Sequence, residues 1–201
     1  MLRETHMDET SASLLDRARH AADAASWQRL VDLYTPLIRG WLRRHAELHA
    51  ADSDDLVQEA LAVVVRKLPA FERQPRTGAF RRWLRTITVN VLRDFWRAQR
   101  LRPRATGDSD FQHVLAQLED PQSGLSHLWD QEHDKHVTRR LLDMIRPRFE
   151  PRTWQAFQRV ALDGASPDDT AAELGITVNA VFIAKSRVLA LLRQEGKGLI
   201  D

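Results

Sequence analysis

Apolar residues along this chain recur at steps of three and four, the spacing that gathers them on one side of an α-helix, and the two-residue alternation of a half-buried strand is scarce. The pattern predicts an all-α protein. Trp27, Leu30, Val31, Leu33, Tyr34, Leu37, Ile38, Trp41 and Leu42 form one amphipathic stripe. Pro36 is expected to kink or break that helix, because it lacks an N–H and its ring crowds the preceding turn. Ser13 and Ser26 are candidate caps for the early helices. In the next segment, ADSDDLVQEALAVVVRKLPAF, Ser53 is the expected N-cap, Asp54 and Asp55 complement the helix dipole, and Pro69 ends the helix. Its apolar residues Leu56, Val57, Ala60, Leu61, Val63, Val64, Val65 and Leu68 cover more than one stripe. Such a helix is either central and buried all round or keeps one face for a partner.

A third helix is expected over FRRWLRTITVNVLRDFWRAQR, with Phe80, Leu84, Ile87, Val91 and Phe95 facing inward and six arginines elsewhere. Pro103 and Gly107 mark the exit from a first domain. The chain therefore divides into a disordered tail (1–12), a helical domain (13–102), a flexible acidic linker (103–124) holding a short helix around Phe111–Leu118, and a second helical domain (125–201). The second domain should open with helices from about Leu128 to Ile145 and from Pro151 to Leu162.

The clearest local motif is SPDDTAAELGITVNAVFIAKSRVLALLRQE. Ser166 caps a helix that has Pro167 at its first position and Asp168 and Asp169 in its first turn. Gly175 follows as a left-handed stop, and Thr177 caps a second helix running to about Arg193. Ala171 is small where the helices cross, and Leu174, Ile176 and Val181 plug the space between them. This is a helix-turn-helix, whose second helix enters the DNA major groove.

Charge sharpens the picture. The net +2 hides a block of net +8 over residues 72–104 and one of net −7 over residues 105–134. Ten arginines and no lysine in the first block, interleaved with Trp83, Phe95 and Trp96, suit phosphates and unstacked bases. The acidic block repels DNA and could fold back on the arginines of its own chain. The chain has no cysteine, which excludes disulfides and thiolate metal sites and fits a cytoplasmic location. No stretch reaches the ~20 apolar residues of a membrane helix, and the first residues lack the apolar run of a signal peptide. The pairs His45/His49 and His133/His136 offer at most half a metal site each. Trp27, Trp41, Trp129 and Trp154 are expected in the core. No nucleophile elbow, phosphate loop or dinucleotide fingerprint occurs, so no enzyme activity and no cofactor are expected.

Taken together, four stretches resemble the extracytoplasmic-function sigma factors of the sigma-70 family. SWQRLVDLYTPLIRGWLRR is similar to the helix that opens sigma region two. DSDDLVQEALAVVVRKLPAF resembles that region's polymerase-binding helix, where an Asp-Leu-Val-Gln-Glu string is typical. The third follows the family pattern at Phe80, Trp83-Leu84, Ile87, Asn90, Asp94 and Arg97, and the helix-turn-helix resembles region four. One departure stands out: the family commonly has Val-Lys-Ser-Arg at the start of the recognition helix, whereas here Lys185-Ser186-Arg187 follows Val181-Phe182-Ile183-Ala184.

The resemblance implies a function in transcription initiation without chemistry of its own, the polymerase supplying the catalytic metal. Asp55, Leu56, Gln58, Glu59 and Ala62 would dock on the clamp helices of the β′ subunit of core RNA polymerase. The loop Gln74–Gly78 with Arg76, and Arg81, Arg82, Trp83, Arg85, Asn90, Arg93, Arg97 and Arg100, would recognise and open the minus-ten element of promoter DNA. Thr177, Asn179, Ala180, Phe182, Ile183, Lys185, Ser186 and Arg187 would read the minus-thirty-five element, and the second domain would touch the β flap. The linker would thread toward the active centre, and an anti-sigma factor is a common partner in the family. The competing reading is a stand-alone helix-turn-helix regulator binding operator DNA as a dimer, which leaves the Asp-Leu-Val-Gln-Glu helix and the arginine helix without a role.

Overall fold

The computed structural model describes residues 13–20, 23–46, 48–71, 78–100 and 108–200. Among them the regular elements are helical: α1 (Leu14–His20), α2 (Ala24–His45), α3 (Ala50–Lys67), α4 (Ala79–Arg100), α5 (Asp108–Glu119), α6 (Gly124–Ile145), α7 (Pro151–Ala161), α8 (Pro167–Leu174) and α9 (Val178–Gly196), with short 3₁₀ turns at Leu68–Ala70 and Arg146–Arg148. The all-α expectation therefore holds. The chain forms two compact units, one built on Leu14–Val137 and the other on Thr138–Lys197. The first unit thus takes in the acidic segment and the first half of α6, further along the chain than the boundary expected at residue 125. The reason is that Leu118, Ser126, Trp129, His133 and Val137 are all buried.

In the first unit α1 packs on α2, α2 on α3, α3 on α4, and α4 on α5. Leu30, Leu33, Ile38, Trp41, Leu56, Val57, Ala60, Phe80, Leu84 and Leu92 fill its core. Helix α2 runs unbroken through Pro36, which lies on its exposed side. The buried neighbours Leu33, Tyr34, Leu37 and Ile38 hold both turns in place, so packing overrides the missing N–H. Its cap is Asp23, not Ser26: Asp23 Oδ1 accepts from the Ala25 N–H at 3.1 Å, and Ser26 donates to the other Asp23 oxygen from inside the first turn. Helix α3 starts three residues before Ser53, whose buried hydroxyl donates back to the His49 carbonyl at 2.9 Å. Asp54 is left to pair with Arg39 at 2.5 Å. Along α4 the inward stripe includes Phe80, Leu84, Ile87 and Val91, but Trp96 and not Phe95 closes it, so Trp96 is core and no platform for a base. Trp41, Trp129 and Trp154 are buried as expected, while Trp27 is only half-buried.

In the second unit α9 lies against α7 and α8. Ile145, Trp154, Phe157 and Val188 form its apolar centre, extended by Leu142, Phe149, Leu189, Leu191 and Leu192. The Arg146 guanidinium sits 5.9 Å above the Trp154 ring.

Candidate nucleic-acid and polymerase interfaces

The helix-turn-helix is built by its caps. Ser166 accepts from the Asp169 N–H at 3.0 Å and starts α8 behind Pro167. Gly175 stops it at φ 62° and ψ 43°, with the Ile176 N–H returning to the Ala171 carbonyl at 3.0 Å. Thr177 then accepts from the Ala180 N–H at 3.1 Å and starts α9. The chain bends by 104° between the two helices, within the range typical of this motif. Val181, Ala184 and Val188 turn inward at steps of three and four. The opposite face of α9 presents Asn179, Ser186 and Arg187, with Thr177 at its start, and Ala180 and Lys185 half-buried beside them. Phe182 and Ile183, 52% and 49% exposed, stand on that face outside the core. They are large apolar side chains standing in water among polar ones.

On α3 the buried residues Leu56, Val57, Ala60 and Val64 leave Asp55, Gln58, Glu59 and Ala62 exposed. Leu56, expected on the docking face, is 2% exposed and belongs to the core, because it follows the same inward stripe as Ala60 and Val64. It can support the face but not touch a partner.

The arginines of α4 divide into two groups. Arg97 is exposed and pairs with Asp94 one turn earlier; Arg82 is half-buried; Asn90 is exposed and accepts from Arg93 at 2.9 Å. Trp83 is half-buried in an aromatic cluster, its ring centroid 4.9 Å from Phe71 and 5.4 Å from Phe80. Arg76 lies outside the described residues, as do residues 74–77 of the expected melting loop, and Arg100 is described only as the end of α4.

Arg81 and Arg85 are held by the chain itself. Arg81 pairs with Asp134 at 2.5 Å and lies 3.5 Å from Asp130. Arg85, 6% exposed, donates to the Ser126 carbonyl at 3.3 Å and stands 3.7 Å from Asp130. Arg93 pairs with Glu119. The contacts run 81 to 134 and 85 to 126, so α4 and the first half of α6 lie antiparallel. Burial draws Arg85 below its ordinary pKa, and Asp130 partly offsets this.

Beyond Asp134 the network reaches into the core. Tyr34 Oη lies 3.2 Å from His133 Nε2, and His133 Nδ1 lies 3.0 Å from Asp134 Oδ1. Burial, then the nearby Asp134 charge, raises the Tyr34 phenol well above its ordinary value. The phenol therefore keeps its proton, and the two His133 ring nitrogens link Tyr34 to Asp134 in one run of polar contacts. Burial alone would raise Asp134, but hydrogen bonds from His133 and Arg81 together outweigh it and hold the carboxyl below its ordinary value. His136 donates to the Leu33 carbonyl at 2.8 Å. The two histidines thus serve separate internal partners. No cluster of metal-ligating side chains occurs among the described residues, nor does any single helix there have the length and apolarity to cross a membrane.

The network went unseen in the sequence, yet it left a signal. Arg81 and Arg85 are four residues apart on one helix, and Asp130 and Asp134 four apart on another. Each like-charged pair is unfavourable alone by roughly 0.2–0.5 kcal/mol, and the two complement each other when interlocked.

Comparison with known proteins matches residues 30–102, the stretch from α2 through α4, to sigma-70 region 2. Over 187 residues, 92% of this chain and 99% of the relative, it is 27% identical to the ferric citrate uptake sigma factor FecI of Escherichia coli (strain K12). It is also 27% identical over 148 residues, covering 72% of this chain and 71% of the relative, to the RNA polymerase sigma-E factor of Streptomyces coelicolor.

Proposed function

Because the chain belongs to the extracytoplasmic-function sigma factors of the sigma-70 family, and so serves in transcription initiation, we propose the following division of labour among its parts. The exposed face of α3, with Asp55, Gln58, Glu59 and Ala62, docks on the β′ clamp helices of core RNA polymerase. The arginines of α4, with Trp83 and Asn90, bind the minus-ten segment as its strands separate. Arg forks hold phosphates, and the half-open Trp83 ring offers a surface for an unstacked base. Capturing such a base offsets the few kcal/mol lost when it leaves the duplex. The outer face of α9, from Thr177 to Arg187, reads the minus-thirty-five segment in the major groove. Phe182 and Ile183 meet thymine methyl groups there, and Lys185 and Arg187 meet phosphates or base edges. The second unit also contacts the β flap. The chain performs no chemistry; bond formation belongs to the polymerase.

The observation that carries the reading is the pairing, in one chain, of a sigma-70 region 2 with a separate, fully capped helix-turn-helix. The test is association with core polymerase. The full chain should co-elute with core as a stoichiometric complex. Glu59→Arg, at an exposed position, should leave folding within about 0.5 kcal/mol of the parent and weaken the complex at least about tenfold through like-charge repulsion at a docked face. Undiminished binding by the variant would remove α3 from the interface.

A further inference from the structure

The arginine helix and the acidic segment that follows it are in contact within one unit of the free chain. Three of the arginines assigned to promoter DNA are already occupied by this segment: Arg81 by Asp134 and Asp130, Arg85 by Asp130 and the Ser126 carbonyl, and Arg93 by Glu119. A guanidinium edge that faces a carboxylate is poorly open to a phosphate, because the acid fills the space and repels a second anion. Arg85, at 6% exposure, cannot be reached by a phosphate until the segment moves.

We propose that α5 and the first half of α6 form an internal latch, an acidic mimic of the nucleic-acid backbone that occupies the α4 arginines and that DNA must displace. This rests on the assignment of α4 to DNA made above.

The latch has an anchor and a weakness. Its anchor is apolar and aromatic: Leu118, Trp129 and Val137 are buried, and the Trp129 ring meets Trp41 edge-on at 5.1 Å. Its weakness is polar. Among the described residues, two buried donors of this seam, Trp41 Nε1 and Trp129 Nε1, have no protein hydrogen-bond partner. Each of those atoms gains water when the seam opens, which lowers the cost of opening. The ion pairs contribute most when the salt is low and no polyanion competes. A segment held by a few aromatic contacts, penalised by unpaired polar atoms and opposed by a competing polyanion has two states close enough in energy to switch.

The test uses the full chain and a 20-nucleotide mixed-sequence single-stranded DNA at low salt. Neutralising the latch with Asp130→Asn and Asp134→Asn should tighten binding about tenfold, because the open fraction rises. It should also steepen the salt dependence, since about two more phosphates become engaged, each adding roughly 0.7 to the slope. Asp120→Asn with Asp143→Asn makes the same change in net charge at exposed carboxylates outside the ion pairs of Arg81, Arg85 and Arg93. This control should stay within twofold of the parent. An independent arm closes the latch. The chain has no native cysteine, so Arg44→Cys with Glu132→Cys, at positions whose side chains meet at 2.8 Å, can be bridged by a cleavable bismaleimide. The bridged chain should bind the DNA about tenfold more weakly than after cleavage. Equal binding by bridged and cleaved chains, or by neutralised and control chains, overturns the latch and leaves the DNA role of α4 intact. Failure of every form, cleaved and neutralised included, to bind DNA removes the role of α4 itself, and the latch with it.

Discussion

The turn of the helix-turn-helix makes a quantitative demand on one residue. Gly175 occupies the left-handed region at φ 62° and ψ 43°. A non-glycine residue pays roughly 1–2 kcal/mol there because Cβ crowds its own carbonyl. A Cβ added at Gly175 meets nothing within 4 Å, so no clash adds to that figure. Alanine also restricts the unfolded chain, which returns roughly 0.4–1 kcal/mol. The net expectation for Gly175→Ala is a loss of about 1 kcal/mol in the unit spanning Thr138–Lys197. For a unit of that size this lowers the melting temperature by roughly 4–8 °C. Gly124→Ala is the internal reference. Gly124 opens α6 without a positive φ, and its Cβ also meets nothing within 4 Å. That substitution should stabilise by about 0.5 kcal/mol. Thermal unfolding followed by circular dichroism reads both. If Gly175→Ala melts with or above the parent, or costs more than about 3 kcal/mol, the turn geometry is wrong.

Two further outcomes are expected. Phe182→Ala should leave thermal stability within about 0.5 kcal/mol of the parent, because the side chain is half in water, while duplex binding at the minus-thirty-five segment weakens several-fold; a large stability loss would place Phe182 in the core. Asp134 should make stability pH-dependent: its folded pKa is depressed, so its contribution is present above the ordinary carboxylate range and disappears as pH falls through the folded value. The stability gap between the parent and Asp134→Asn should therefore be widest near neutrality and close as the pH falls below the ordinary carboxylate range, and urea titrations that show a constant gap would contradict the Arg81–Asp134–His133 network.

Local chemistry was legible where it is set by a few neighbouring residues. Ser166, Pro167, Gly175 and Thr177 stand where the motif required, since caps and left-handed stops depend on backbone groups within one turn. The inward stripe of α4 was readable as far as Val91, but the choice between Phe95 and Trp96 at its end depended on the α4 surroundings that periodicity does not contain. Pro36 was misread for the same reason: the cost of a proline inside a helix is visible locally, and the packing of Tyr34 and Ile38 that overcomes it is not. The candidate interfaces divide likewise. The outward face of α9 and the acidic face of α3 followed from helical spacing. The occupation of Arg81, Arg85 and Arg93 required knowing that residues from Glu119 to Asp134 return to α4, a contact between elements some forty residues apart. The opposite charges of the two stretches hinted at it, but charge alone does not select partners.

The most direct test of the whole account is transcription in vitro from a promoter library with purified core polymerase, scored for start sites and for permanganate-reactive, unpaired thymines. Adding this chain should produce discrete starts, each with reactive thymines about ten base pairs upstream, absent with core alone. Start sites indistinguishable from those of core alone, with no unpaired thymines, would contradict it.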